Sequence, residues 1–402
     1  MNRAATFLMS FALTLPLLAA DPPKTVTLDA GKFERRGTFV TFAVPETVRA
    51  DTLWYLEDTR EKLMIPLQVL PGGGRAVTIT PPLKAGEVRP LALSRVKESS
   101  FKDVVARRDG TAVTFLAGDK EMFRYNGDKT PLPPGFDPSY QRGGYISPIF
   151  TPSGTLVSDD YPPQHKHHHG VWTPWTKTEF EGRHPDFWNM GDKTGTVEFV
   201  ELVSTFQGPL VAGLQAKHRF MDLSAKPQPK VVLNETWDVT AYAPGTDKRP
   251  YYMFDLTSTQ TCATDQPLTL PKYHYGGFGY RGHRTWDGKG NCEFLTSEGK
   301  TRADGNETRG RWVYVYGKVD GKTAGVAILC HPDNFRAPQP LRIHPTEPYI
   351  SYAPQQMGEF KIEPGKPYVS RYRVVAMDGG PDKEMLDRLW NDYSTPPDVT
   401  VK

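Results

Sequence analysis

The chain has 402 residues, with 49 Lys and Arg against 46 Asp and Glu and a formal net charge of +3 at pH 7. That balance, without a basic stripe, argues against a nucleic-acid partner, whose phosphates call for a basic excess. Charged residues make up 24% and hydrophobic residues 38%, a globular composition and not a disordered one. The 36 Gly and 37 Pro, spread without a repeat, favour many short strands joined by turns over long helices.

The first segment reads as a leader. Met1-Asn2-Arg3 is a short basic start, Ala4 to Ala20 carries no charge, and Asp21-Pro22-Pro23-Lys24 ends the stretch abruptly. This pattern predicts a secretory signal peptide over residues 1–20, cut near Ala19-Ala20, and a periplasmic or secreted location. No later segment reaches the roughly 18 apolar residues of a membrane span, so no membrane partner is expected once the leader is removed.

Residues 21–96 are expected to form a small N-terminal β domain. Thr25–Leu28, Thr38–Val44 and Ala76–Thr80 are β-branched or aromatic runs punctuated by Pro71-Gly72-Gly73-Gly74 and Pro81-Pro82. A linker is expected around Lys97-Glu98-Ser99-Ser100. Residues 97–402 then form the second domain. Asp109-Gly110 between Val104–Arg108 and Thr111–Leu116 predicts a tight hairpin. Further strands are predicted at 195–207, 214–222, 230–241, 251–261, 311–319, 323–330 and 367–376. One helix is predicted at 382–393, where Met385, Leu386, Leu389, Trp390 and Tyr393 make a single apolar stripe behind an acidic first turn. The fold class is therefore all-β: a large antiparallel β-sandwich with a small N-terminal β-sandwich and a C-terminal helix. Cys262, Cys292 and Cys330 allow three pairings that sequence does not choose between, and buried structural thiols are the default.

The chemistry gathers around His165-Lys166-His167-His168-His169. On an extended strand His165, His167 and His169 share one face. That face offers proton transfer or contact with one sugar ring. A divalent metal on His165, His167 and His169 is the alternative, with His184, Asp186, His274 or His331 as further ligands. No organic cofactor is needed. Trp172, Trp175, Phe187 and Trp188 follow closely, mixed with Glu179, Glu181, Arg183, His184 and Asp186. Flat indoles stack on the apolar faces of pyranose rings, and cores rarely interleave charge so densely. A second candidate region is Pro271 to Arg284, with Tyr275, Tyr280 and Arg281 projecting between glycines. A third is His331-Pro332-Asp333-Asn334 at the end of an apolar strand.

Three segments resemble the PmoA family of exported bacterial proteins, labelled "methane oxygenase PmoA". They are Tyr145–Gly154 with the His tract and Gly170-Val171-Trp172; Tyr275–Gly282; and Gly325–Ile328 with His331-Pro332 and Asn334. Asp186-Phe187-Trp188 matches a short aspartate–aromatic element of the same family. Cys330 stands where the family often has Asp, and Ala337 where it often has a second His. The resemblance implies a sandwich similar to the galactose-mutarotase-like supersandwich and a sugar-related role. A particulate methane oxygenase subunit needs membrane helices, so the label is not taken as an activity. The expectation is an exported carbohydrate-active protein, of epimerase, lyase or hydrolase type. His167 and His169 act as acid and base, Asp186 or Glu179 is the opposing carboxylate, and Trp172, Trp175, Trp188, Tyr275, Tyr280, Arg281 and His331 hold the ligand. A non-catalytic glycan-binding protein and a metal-dependent oxygenase or hydrolase are the alternatives.

Overall fold

Turn chemistry sets the strand pairs. Asp109-Gly110 folds Val104–Asp109 onto Ala112–Ala117, with Asp109 facing Ala112 in register. Asp320-Gly321, at φ of 50° and 78°, closes Trp312–Val319 onto Lys322–Cys330. Two consecutive positive φ values match the twist of the flanking strands. The protein is described by a computed structural model over residues 24–97, 102–245 and 249–402. The leader expected over 1–20 and most of the expected linker lie outside the described residues.

The long predicted strands assemble into one eight-stranded antiparallel sheet. Its order is Gly195–Phe206, Val211–Asp222, Lys230–Tyr242, Tyr251–Cys262, Tyr368–Asp378, Lys322–Cys330, Trp312–Val319 and Cys292–Thr296. A second eight-stranded sheet has shorter strands: Leu341–Ile343, Tyr349–Tyr352, Phe278–Arg281, Val171–Trp172, Tyr145–Ile149, Lys120–Asn126, Ala112–Ala117 and Val104–Asp109. The two pack face to face. Phe115, Phe123, Ile146 and Tyr280 of the short-strand sheet meet Trp237, Phe254, Val326 and Val374 of the long-strand sheet. The Phe123 and Phe254 rings lie 4.2 Å apart. This is the large antiparallel sandwich the alternating strands predict.

The far face of the long-strand sheet is covered twice. The helix Lys383–Ser394 lays Met385, Leu386 and Leu389 on Tyr314, Leu329 and Met377, and the Asp382 side chain caps it by accepting from the Met385 N–H. Beside it sits the N-terminal module, one seven-stranded antiparallel sheet folded over Val26, Val40, Trp54, Leu67 and Leu91. The Gln68 amide ties it to the backbone of Leu210 and Val211, and Arg35 makes a buried ion pair with Asp392 of the helix at 2.9 Å. The last strand, Asp398–Val401, returns to this module and pairs with Thr25–Asp29. A boundary at 96/97 therefore separates the modules in sequence but leaves that strand on the wrong side. The three cysteines are unpaired, two of them buried. The outer face of the short-strand sheet is left for side chains and loops to fill.

Candidate functional site

Successive residues of a strand face opposite ways. In the short-strand sheet Ile146, Val171, Tyr280 and Ile350 point into the sandwich, so Tyr145, Trp172, Arg281 and Tyr349 point outward. Trp172 pairs with Gly279 on the next strand, and a Cβ on Gly279 would sit 3.0 Å from the indole. Glycine at that position lets the ring lie flat across the neighbouring strand. Trp172, Trp188, Tyr349 and the flanking Tyr275 form a buried aromatic floor. Gly276 and Gly277, at φ of 131° and 108°, turn the chain sharply and set His274 and Tyr275 at its edge.

The histidine tract does not lie on a strand. Residues 161–170 form two consecutive turns, with the His165 N–H on the Pro162 carbonyl at 3.1 Å and the His168 N–H on the His165 carbonyl at 2.8 Å. Only Val171–Trp172 is extended. Pro162 and Pro163 have no N–H to give a sheet ladder, and the chain satisfies the next donors locally. One shared face for His165, His167 and His169 is thereby replaced by another arrangement. His165 stacks on His168 with centroids 4.8 Å apart and planes 8° apart. His168 stacks in turn on Tyr349 at 4.7 Å. His169 turns inward, fully buried, with Nδ1 2.5 Å from Asp160 Oδ1, its ring on Tyr145 and its edge against Tyr161.

A cavity of about 310 Å³ opens above this floor, at the lower end of the ~300–1,000 Å³ usual for ligand pockets. Five imidazoles line it: His165, His167, His168, His274 and His344. The rest of its wall is Trp188, Tyr275 and Tyr349, with Asn189 and Arg342 as polar members. His165 Nδ1 faces Glu347 Oε2 at 2.9 Å without the alignment of a hydrogen bond. Arg281, fully buried beneath, holds the same carboxylate at 2.5 Å and pairs on its other side with Asp287. Burial alone would raise Glu347, but the His165 contact and the Arg281 charge outweigh it and hold the carboxyl at about 2. Burial, then the neighbouring His165 and His169, push His167 down to about 3. His168 is lowered by burial and by His167 and Arg281, and burial takes His344 to about 4. These three imidazoles are uncharged at neutral pH, and each presents one donor and one acceptor.

The structure brings together His165, His167, Trp188, His274 and Tyr275 from the residues singled out in the sequence. Trp172 lies under them in the floor, and Arg281 acts on the cavity through Glu347. The other candidates lie elsewhere. Asp186 accepts from the N–H groups of Trp188 and Asn189 and from Thr176 Oγ1, so it shapes the loop that carries Trp188. Glu179 is exposed on a bridge to Thr269. Trp175 is buried in a separate apolar cluster with Nε1 on Gln260. Tyr280 points into the sandwich and donates to the Val157 carbonyl. His331 packs on Tyr393 of the helix. Sequence reasoning passed over Arg342, His344, Glu347 and Tyr349. Their only local signal is Ile343-His344-Pro345-Thr346-Glu347-Pro348-Tyr349, a polar pair bracketed by prolines between two strand-like runs.

A family model described as "Family of unknown function (DUF6807)" matches residues 112–391. The chain belongs to this family. The matched stretch holds the whole sandwich except its first strand, together with every cavity residue, and leaves out the N-terminal module. No curated protein matches the chain. Among solved structures, a protein in the glycosyl hydrolase family 38 from Enterococcus faecalis is similar at a TM-score of 0.44 and 10% identity, over 94% of this chain and 47% of that one. The chain thus spans about half the length of that protein.

Proposed function

We propose that this chain is an exported carbohydrate-active protein that binds one sugar residue of a glycan in the cavity on the outer face of the short-strand sheet. The observation that supports this reading is the convergence of five of the ten histidines, from three distant stretches of chain, on one aromatic-floored cavity. A sugar needs flat rings for its C–H faces and many donors and acceptors for its hydroxyls. Trp188 and Tyr275 supply the first, and His167, His274, Asn189 and Arg342 the second. His167 lines the cavity in its uncharged form and is the proposed proton acceptor, from an acidic ring C–H or a hydroxyl in epimerisation or elimination and from the attacking water in hydrolysis.

The test is a glycan array followed by mass spectrometry of the incubated hits, with wild-type protein and His167→Ala. The reading expects a bound glycan class, a product from it, and loss of turnover in His167→Ala. Binding without any product, equal in both proteins, leaves a glycan-binding protein. No glycan bound at all contradicts the proposal.

A further inference from the structure

Of the groups around the cavity, His165, His344 and Glu347 stand apart. One ligand-type atom from each lies within 4.8 Å of the other two. We propose that these three side chains bind one divalent first-row transition ion, whose remaining coordination positions face the cavity and a sugar oxygen there. This rests on the cavity being the ligand site, and it names what polarises the ligand.

Two imidazoles and one carboxylate are a donor set for zinc and for six-coordinate iron or manganese with open positions. Ligand atoms about 2.1 Å from a common ion lie up to roughly 4 Å apart, so the trio closes on an ion with side-chain shifts below an ångström. Each member is held in place. Glu347 is oriented by Arg281, which Asp287 anchors from behind, the kind of outer partner that fixes a carboxylate ligand. His165 is fixed by its stack on His168 and its edge contact with His344 at 5.7 Å. His344 starts the loop to Tyr349, and its backbone N–H is bound to the Tyr349 carbonyl at 3.1 Å. Its Nδ1 makes long contacts of 3.2 to 3.5 Å with the N–H groups of Glu347 and Thr346 and with the Thr346 hydroxyl, which hold the ring beside Glu347.

A second, independent observation points the same way. His168 is 3% exposed and lines the cavity, and its Nδ1 has no hydrogen-bond partner among the described residues. Buried imidazole nitrogens are normally satisfied, and one left open on a ring stacked against His165 marks a place built for a ligand. This set differs from the one expected on the tract itself, since His169 is turned away onto Asp160.

The experiment uses the full chain, dialysed against chelator and titrated with Zn²⁺ and with Mn²⁺ in a calorimeter. Elemental analysis and the visible spectrum of a Co²⁺-loaded sample accompany it. The proposal expects one ion per chain. His344→Ala and Glu347→Gln should each weaken binding by at least about 100-fold, with circular dichroism unchanged, and His331→Ala should bind as the wild type does. Absence of stoichiometric binding overturns the proposal, and so does binding that survives both His344→Ala and Glu347→Gln. If one of those variants fails to fold, His165→Ala replaces it with the same expectation. Glycan binding is measured on metal-free and metal-loaded protein in parallel. Glycan binding without ion uptake overturns the ion alone, and ion uptake without glycan binding overturns the sugar reading alone.

Discussion

Two imidazole–carboxylate pairs in this protein have nearly the same separation and opposite surroundings. His218 and Glu235 meet at 3.1 Å between the two sheets, both essentially inaccessible. His165 and Glu347 meet at 2.9 Å at the rim of a cavity. The inner pair is saturated. Tyr125 bonds His218 Nε2 at 2.8 Å, and Glu235 Oε1 accepts from Thr173, Ser258 and Gln260. Both ring nitrogens and both carboxylate oxygens are engaged within the fold, so the inner pair serves packing. The outer pair stands at a cavity beside four further imidazoles, one of which, His168, has a buried Nδ1 with no hydrogen-bond partner among the described residues. Burial and satisfaction together, more than residue type, separate a structural histidine from a functional one.

The comparison can be broken most forcefully at its inner member. Glu235→Ala leaves His218, Thr173, Ser258 and Gln260 buried without their acceptor. It should cost about 3–5 kcal/mol in denaturant unfolding. A loss below about 1 kcal/mol would show that the sandwich does not depend on the network. The pH dependence is linked to the same group. Burial would raise the Glu235 carboxyl, but His218, Gln260 and Ser258 outweigh it and hold it below its ordinary value. A depressed carboxylate contributes stability above the unfolded value of about 4.3, and that contribution is lost as pH falls through the folded value. Unfolding free energy measured from pH 6 down to about pH 3 should therefore fall more steeply in the wild type than in Glu235→Gln. Parallel curves would remove Glu235 from the account.

The outer face is expected to respond more gently. Gly279→Ala forces a methyl against the Trp172 ring and should cost about 1–3 kcal/mol. It should also reduce ligand binding, because the aromatic floor is displaced; full binding with lowered stability would separate the floor from the site. His167→Ala removes a half-buried side chain with no hydrogen bond to the rest of the fold among those described. It should change stability by less than about 1 kcal/mol while abolishing turnover. A large loss of stability there would place His167 in the same class as His218.

Legibility in the sequence followed the range of the interactions. The hairpin at Asp109-Gly110, the long alternating strands and the C-terminal helix were readable because turn residues, alternation and an apolar stripe act over a few residues. The cavity was readable in part, since the His tract, Trp188 and Tyr275 do meet. Glu347 was not, because its meaning depends on His165, far away in the chain, and on Arg281 beneath it. Tyr280 and Arg281 looked like two hands on one ligand, yet adjacent strand residues face opposite ways, and only Arg281 is on the cavity side. Trp175 and Trp172 could not be told apart by composition: both are buried, one in a satellite cluster and one in the floor. The turn at 161–170 overrode the strand alternation assumed for the histidines, and the two prolines before it supply the physical reason.

The central claim is that the imidazole-lined cavity, and not the saturated pair inside the sandwich, is where this protein meets its ligand. Glycan binding by wild type, His167→Ala and His331→Ala, each checked for native circular dichroism, tests it most directly. The account predicts binding and turnover in the wild type, both retained in His331→Ala, and turnover lost in His167→Ala. Turnover by His167→Ala equal to that of the wild type would contradict it.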